Sequence, residues 1–192
     1  AMATTSMTVD KPLGSPTAAA LKSSWALLVG MSLLMVANGL QSTLLGVRSE
    51  AEGYATFVTG IIMAGYFVGF LAGSTITTNI IQRVGHVRVF AALASTASIS
   101  VLIHSVMVDP VTWTVMRFAT GFSYAGLYIV AESWLNDRAD NLTRGKLLSI
   151  YMIVQFASIS AGQMSMALGD PNGVALFIVA SIAVSAGIVP IL

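Results

Sequence analysis

The chain has 192 residues, of which 56% are hydrophobic and 9% charged, with a formal net charge of +1 and a mean hydropathy of +0.84. A soluble domain carries roughly 25% charged residues, so this composition excludes one and identifies a membrane protein. Cysteine is absent, which removes disulfide frameworks and thiolate metal sites and leaves the compartment undecided on redox grounds.

Residues 1–22, rich in Ser, Thr, Pro and Ala, read as a flexible cytoplasmic tail. A cleaved signal peptide is not expected, because the apolar stretch after Lys22 is too long for one. Six spans follow, over 23–47, 53–82, 89–108, 111–134, 147–169 and 171–192. Each has the ~20 residues that cross about 30 Å of hydrocarbon at about 1.5 Å per residue. The first carries a polar patch of Asn38, Gln41 and Ser42. The second places Gly65, Gly69 and Gly73 at every fourth position, a stripe that lets two helix backbones approach closely. Between the second and third, "RVGHVR" sets Gly85 between Arg83 and Arg88 and predicts a tight turn with cations on the membrane rim. His104, near the outer end of the third span, reads as a satisfied interfacial histidine. "DP" at 109–110 predicts a short turn into the fourth span, where Arg117, Gly121, Tyr124 and Tyr128 share one helical stripe. Glu132 follows at the cytoplasmic end of that span. On the fifth span Tyr151, Gln155, Ser158 and Gly162 repeat the same offsets, and "DPNG" at 170–173 predicts a second short turn.

If the chain weaves six times, Lys11, Lys22, Arg83, Arg88, Arg138, Arg144 and Lys146 fall on one side and Arg48 alone on the other. The positive-inside rule then puts both termini in the cytoplasm. Composition by itself admits a transporter, a channel subunit or an intramembrane enzyme. An enzyme needs a nucleophile and base, or metal ligands, at bilayer depth. The spans offer one histidine and no deep Asp or Glu, so neither catalysis, a metal, a cofactor nor a nucleic-acid partner is expected. Polar groups left unpaired in lipid cost several kcal/mol, so the polar stripes face protein or water. They either hold the bundle by hydrogen bonds between helices or line a path through it.

Two motifs take the reading further. Arg83, Gly85 and Arg88 in the loop, with Arg117 and Gly121 in "RFATGFSYAG", resemble the signatures of the major facilitator superfamily (MFS). The loop departs from that pattern at Thr78, where the family has glycine, at Gln82, where it has aspartate, and at His86, where it has a basic residue. "R.GHVR" with "AESWLN" further resembles a little-characterised bacterial branch of the superfamily. The resemblance implies an all-α polytopic fold of twelve helices in two halves, each half an inverted 3+3 repeat, with substrate at the midplane between them. On this reading residues 23–192 are the amino-terminal six-helix half, and their partner is a missing carboxyl-terminal half or a second copy. The implied function is secondary active transport of a small organic solute, neutral or anionic, by alternating access in the inner (plasma) membrane, with protons as the candidate coupling ion. The implied substrate path comprises Asn38, Gln41, Arg117, Tyr124, Tyr128, Tyr151 and Gln155, with Arg117 hydrogen-bonded to Asn38 or Gln41. A cytoplasmic latch would join Arg83 or Arg88, at the Gly85 turn, to Glu132. Gly65, Gly69, Gly73 and Gly121 would serve helix packing. The alternative is a six-helix structural or interaction subunit without transport activity.

Overall fold

A computed structural model describes residues 16–191 of the chain; residues 1–15, most of the expected tail with Lys11, and Leu192 lie outside the described residues. The described residues form six helices and no strand: α1 Pro16–Ala51, α2 Thr56–Val84, α3 His86–Val106, α4 Pro110–Arg138, α5 Arg144–Ser165 and α6 Ala175–Ala186. Short 3-10 turns follow α5 at Met166–Leu168 and α6 at Val189–Ile191.

The first helix starts earlier than expected. Residues 16–22, assigned to the tail by composition, are helical, because Pro16 suits a first helical turn and the Ala-rich run behind it has high helix propensity. Among the described residues, four helical segments are long and apolar enough to cross a bilayer: Thr17–Ala51, Thr56–Val84, His86–Val106 and Arg144–Leu168. α4 has the length, 29 residues, but carries Arg117 and a polar carboxyl-terminal end. α6 has 12 residues, about 18 Å at about 1.5 Å per residue, which is short of the hydrocarbon thickness. Its start is held back by the 170–173 turn, in which Asp170 Oδ1 accepts from Asn172 N at 2.9 Å and Asp170 O from Gly173 N at 3.2 Å. Beyond Ala186 the chain turns at Gly187, whose N–H donates to Ala183 O at 3.0 Å, and tightens into the 3-10 turn at Val189–Ile191.

The joint between α2 and α3 is one residue. Gly85 adopts φ +92°, a backbone state that L side chains rarely enter, and its N–H donates to Ile81 O at 2.8 Å. α4 opens on Asp109, whose carboxylate accepts from Thr112 N at 2.9 Å, with Pro110 in the first turn. That hydrogen bonding holds the Asp109 carboxyl below the usual range.

Packing runs through glycines. α2 lies along α4, with Gly65, Gly69 and Gly73 against the backbone at Thr114, Phe118 and Phe122, and with Gly121 returning against Tyr66 and Phe70. α1 lies along α5 in the same manner, with Gly39 against Ile159 and Gly162 against Val36. A Cβ at Gly65 would stand 2.8 Å from Thr114 O, so these crossings are closer than any side chain permits. α3 meets α6 through Ser98 Oγ, 2.7 Å from Ser181 Oγ and 2.9 Å from Ser185 Oγ. The core between the helices is filled by Leu34, Met35, Leu44, Phe90, Trp113 and Leu127. Large apolar side chains such as Phe67, Leu71 and Ile153 stand exposed around the outside, as a bilayer requires and water would penalise.

Candidate functional site: a buried arginine behind an aromatic cavity

α4 turns Arg117 into the bundle, where it is 3% exposed. Its Cζ sits 4.6 Å from the centroid of the Tyr66 ring, a cation–π contact supplied by α2. Nε and Nη1 of Arg117 have no hydrogen-bond partner among the described residues. Tyr66 reaches onward to α1, where Asn38 Nδ2 donates to the Tyr66 hydroxyl at 3.4 Å. The expected direct bond from Arg117 to Asn38 or Gln41 is therefore replaced by a contact relayed through a ring. Gln41 turns instead to α3, with Nε2 3.5 Å from His104 Nδ1. His104 is fully buried in the bundle and only half satisfied: its Nδ1 lies 2.6 Å from Ser100 O, its own carbonyl accepts from Trp113 Nε1 at 3.1 Å, and its Nε2 has no partner among the described residues.

In front of this polar core lies a cavity of about 470 Å³ between α2, α4 and α5. α2 supplies Tyr66, Phe70 and Ser74; α4 supplies Tyr128 and Glu132; α5 supplies Tyr151, Gln155 and Phe156. The volume lies within the roughly 300–1,000 Å³ of small-molecule sites. By helix position the cavity runs from Tyr66 and Ile159, about mid-helix, towards the ends of α4 and α5 joined by the 139–143 loop.

Of the seven expected path residues, Tyr128, Tyr151 and Gln155 line the cavity. Asn38, Gln41, Arg117 and Tyr124 lie buried behind it. The Tyr124 hydroxyl donates to Leu34 O at 2.8 Å and the Tyr128 hydroxyl to Met35 Sδ at 3.0 Å, so both tie α4 to α1. Tyr151 Oη and Gln155 Oε1 have no partner among the described residues. The lining residues that the sequence reading passed over are Tyr66, Phe70 and Phe156. Tyr66, Phe70 and Ser74 form a four-residue row one position beyond the glycine stripe, and that adjacency was the available signal.

The expected latch is not formed here. Among the described residues the one ion pair is Arg48–Glu52, at 2.6 Å, at the opposite ends of the helices. Arg83 and Arg88 are exposed, and Glu132 lies on the cavity wall. The neighbouring Ser133 makes the contact to the α2–α3 joint, its Oγ 3.0 Å from His86 Nε2. One residue is about 100° of helix, which separates a side chain facing α3 from one facing the cavity.

No family model matches the chain, and no solved structure matches it. Curated relatives do. The chain is 29% identical over 138 residues to proteins named uncharacterized MFS-type transporter YcaD from Escherichia coli O45:K1 (strain S88 / ExPEC) and Escherichia coli O81 (strain ED1a). The same identity and span hold for the protein of that name from Escherichia coli O139:H28 (strain E24377A / ETEC). The match covers 72% of this chain and 36% of each relative, so it spans about a third of their length. The motif resemblance and the relatives agree: this chain has homologues among MFS-type transporters, and their name points to transport rather than catalysis.

Proposed function

We propose that the chain is a six-helix half of a secondary active transporter of the major facilitator type, set in the inner membrane with both ends of the segment cytoplasmic. It moves a small organic solute by alternating access, with a second six-helix half closing the cavity between α2, α4 and α5. Arg117 carries the reading. A guanidinium that is 3% exposed, held by one aromatic face and left with two unpartnered nitrogens, destabilises a static bundle. A scaffold gains nothing from it. A protein that alternates between two packings can satisfy those donors in the other state, and the wall of the cavity, Tyr66, is the residue that covers them.

The paired crossings support the inverted repeat. The same number of residues separates Val36 from Phe118 as Gly39 from Gly121, and the same number separates Tyr66 from Ile159 as Gly69 from Gly162. Within those two offsets, Gly39 meets Ile159 as Gly121 meets Tyr66, and Gly162 meets Val36 as Gly69 meets Phe118. α1 then corresponds to α4 and α2 to α5, with the Ser98–Ser181 contact on the axis between them.

The test uses the missing cysteines, because single thiols can be added to this chain without background from it. Ser74→Cys reports the cavity. Gln163→Cys continues the row of Tyr151, Gln155 and Ile159 towards the outer side. In the full-length protein, whole cells are treated with a bulky impermeant maleimide that reacts at position 163 and wedges the outer side open. Inside-out vesicles from those cells should then show slowed labelling at position 74. Unchanged labelling at 74 excludes alternation and leaves the scaffold alternative.

A further inference from the structure

We propose that the cavity between α2, α4 and α5 takes an aromatic organic cation of single positive charge. The inference rests on the transporter reading for its purpose, and on the cavity lining for its chemistry. Five of the lining residues are aromatic: Tyr66, Phe70, Tyr128, Tyr151 and Phe156. Glu132 is the charged side chain among the lining residues, and it is unpaired among the described residues. Gln155 also lines the cavity. The carboxylate sets the sign of the charge on this wall, and the aromatic rings beside it can add cation–π contact to a bound cation.

Among the described residues no Lys or Arg lines the cavity. Arg117 lies behind the Tyr66 ring and outside the lining, and Glu132 stands fifteen residues further along α4, about 22 Å at about 1.5 Å per residue. A bound cation near Glu132 has Tyr128 one helical turn away on the same face and Tyr151 on the facing helix. This reverses the preference for neutral or anionic solutes drawn from the sequence, where Tyr and Gln were visible on the stripes but Glu132 was assigned to the rim.

Tetraphenylphosphonium and tetraphenylborate have the same shape and opposite charge, which makes them the probe pair. Binding of each is measured by quenching of intrinsic fluorescence on the full-length protein in neutral detergent, with Glu132→Gln in the same micelles to cancel partitioning. The phosphonium should bind at least about tenfold more tightly than the borate, and Glu132→Gln should remove about that factor. Tyr151→Leu should weaken the phosphonium several-fold while Tyr151→Phe, which keeps the ring, retains it. Equal binding of the two ions, preference for the borate, binding of neither, or an unchanged affinity in Glu132→Gln overturns the proposal. The readout does not require transport. Failure here with the thiol alternation intact removes the cation assignment alone, and cation binding without alternation removes the transporter reading alone.

Discussion

Arg117 is held by a ring rather than by an anion, and this decides what replacements it tolerates. A guanidinium is planar and stacks on Tyr66; a lysine ammonium keeps the charge, is more strongly hydrated and does not stack. Arg117→Lys in the full-length protein should therefore insert and purify as a single species on size exclusion, yet lose about tenfold or more of its transport rate. An aggregated Lys variant would instead assign Arg117 to folding. Arg117 was legible in the sequence because a cation interrupting an apolar run has few explanations. Its partner was not. Asn38 and Gln41 have the chemistry for it, but the distance between α1 and α4 at that depth is set by packing, and Tyr66 fills the gap. Tyr66 escaped notice because an aromatic on an apolar helix has no polarity contrast to mark it. Glu132 shows the reverse: its inward orientation follows from helical periodicity, whereas the choice between the latch and the cavity wall turns on about 100° of rotation relative to α3.

At the scale of elements, the α2–α4 crossing depends on an absence of side chains. A Cβ at Gly121 would meet the carbonyl of Tyr66, which is backbone and cannot yield without moving the helix. Gly121→Val should push α2 from α4 and cost about 1–3 kcal/mol, read as a lower thermal midpoint in detergent and a displaced Tyr66. Gly60, on α2 with open space around it, is the control, and Gly60→Val should leave the midpoint near wild type. A fall of equal size in both variants would refer the effect to the valine itself and not to the crossing. The loop between α4 and α5 is organised by Asp140, whose Oδ1 accepts from Thr143 Oγ1 at 2.7 Å, Thr143 N at 2.8 Å and Leu142 N at 3.0 Å. These bonds hold its carboxyl below the usual range. A depressed folded pKa stabilises above the unfolded value of about 3.9 and is lost as pH falls through the lower folded value. Amide protection at Leu142 and Thr143 should accordingly be weaker in Asp140→Ala than in wild type at pH 7 and converge with it below about pH 3. Persistent protection in the variant at pH 7 would show that the loop does not need the carboxylate. The glycine stripe and both aspartate turns could be read from the chain, since each depends on local spacing. The shortness of α6 could not, because an apolar run fixes what a segment can do and not where the 170–173 turn and the turn at Gly187 will stop it.

On the scale of the whole molecule, the contact between α3 and α6 is polar where it might have been apolar. Ser98 Oγ sits at hydrogen-bond distance from Ser181 Oγ and Ser185 Oγ, and also donates to Ser181 O at 3.2 Å. Ser98→Val and Ser98→Thr add the same bulk, but Val has no hydroxyl and leaves those of Ser181 and Ser185 short of a partner. Ser98→Val should lower stability by about 1–2 kcal/mol in thermal unfolding of the full-length protein, and Ser98→Thr should restore most of it. If Val and Thr behave alike, the contact is held by shape and not by hydrogen bonds. The paired crossings were not visible along the sequence, because they reside in which glycine meets which carbonyl and not in identical residues. Those crossings also bear on how such a protein deforms. Where backbone touches backbone, no rotamer can change to let the helices slide, and the nearest competing arrangement lies a full turn away. The bundle is consequently stiff along both of its long seams, and compliance is left to its boundary, where side chains such as Tyr66 and Glu132 line an open cavity face and can turn without moving a backbone.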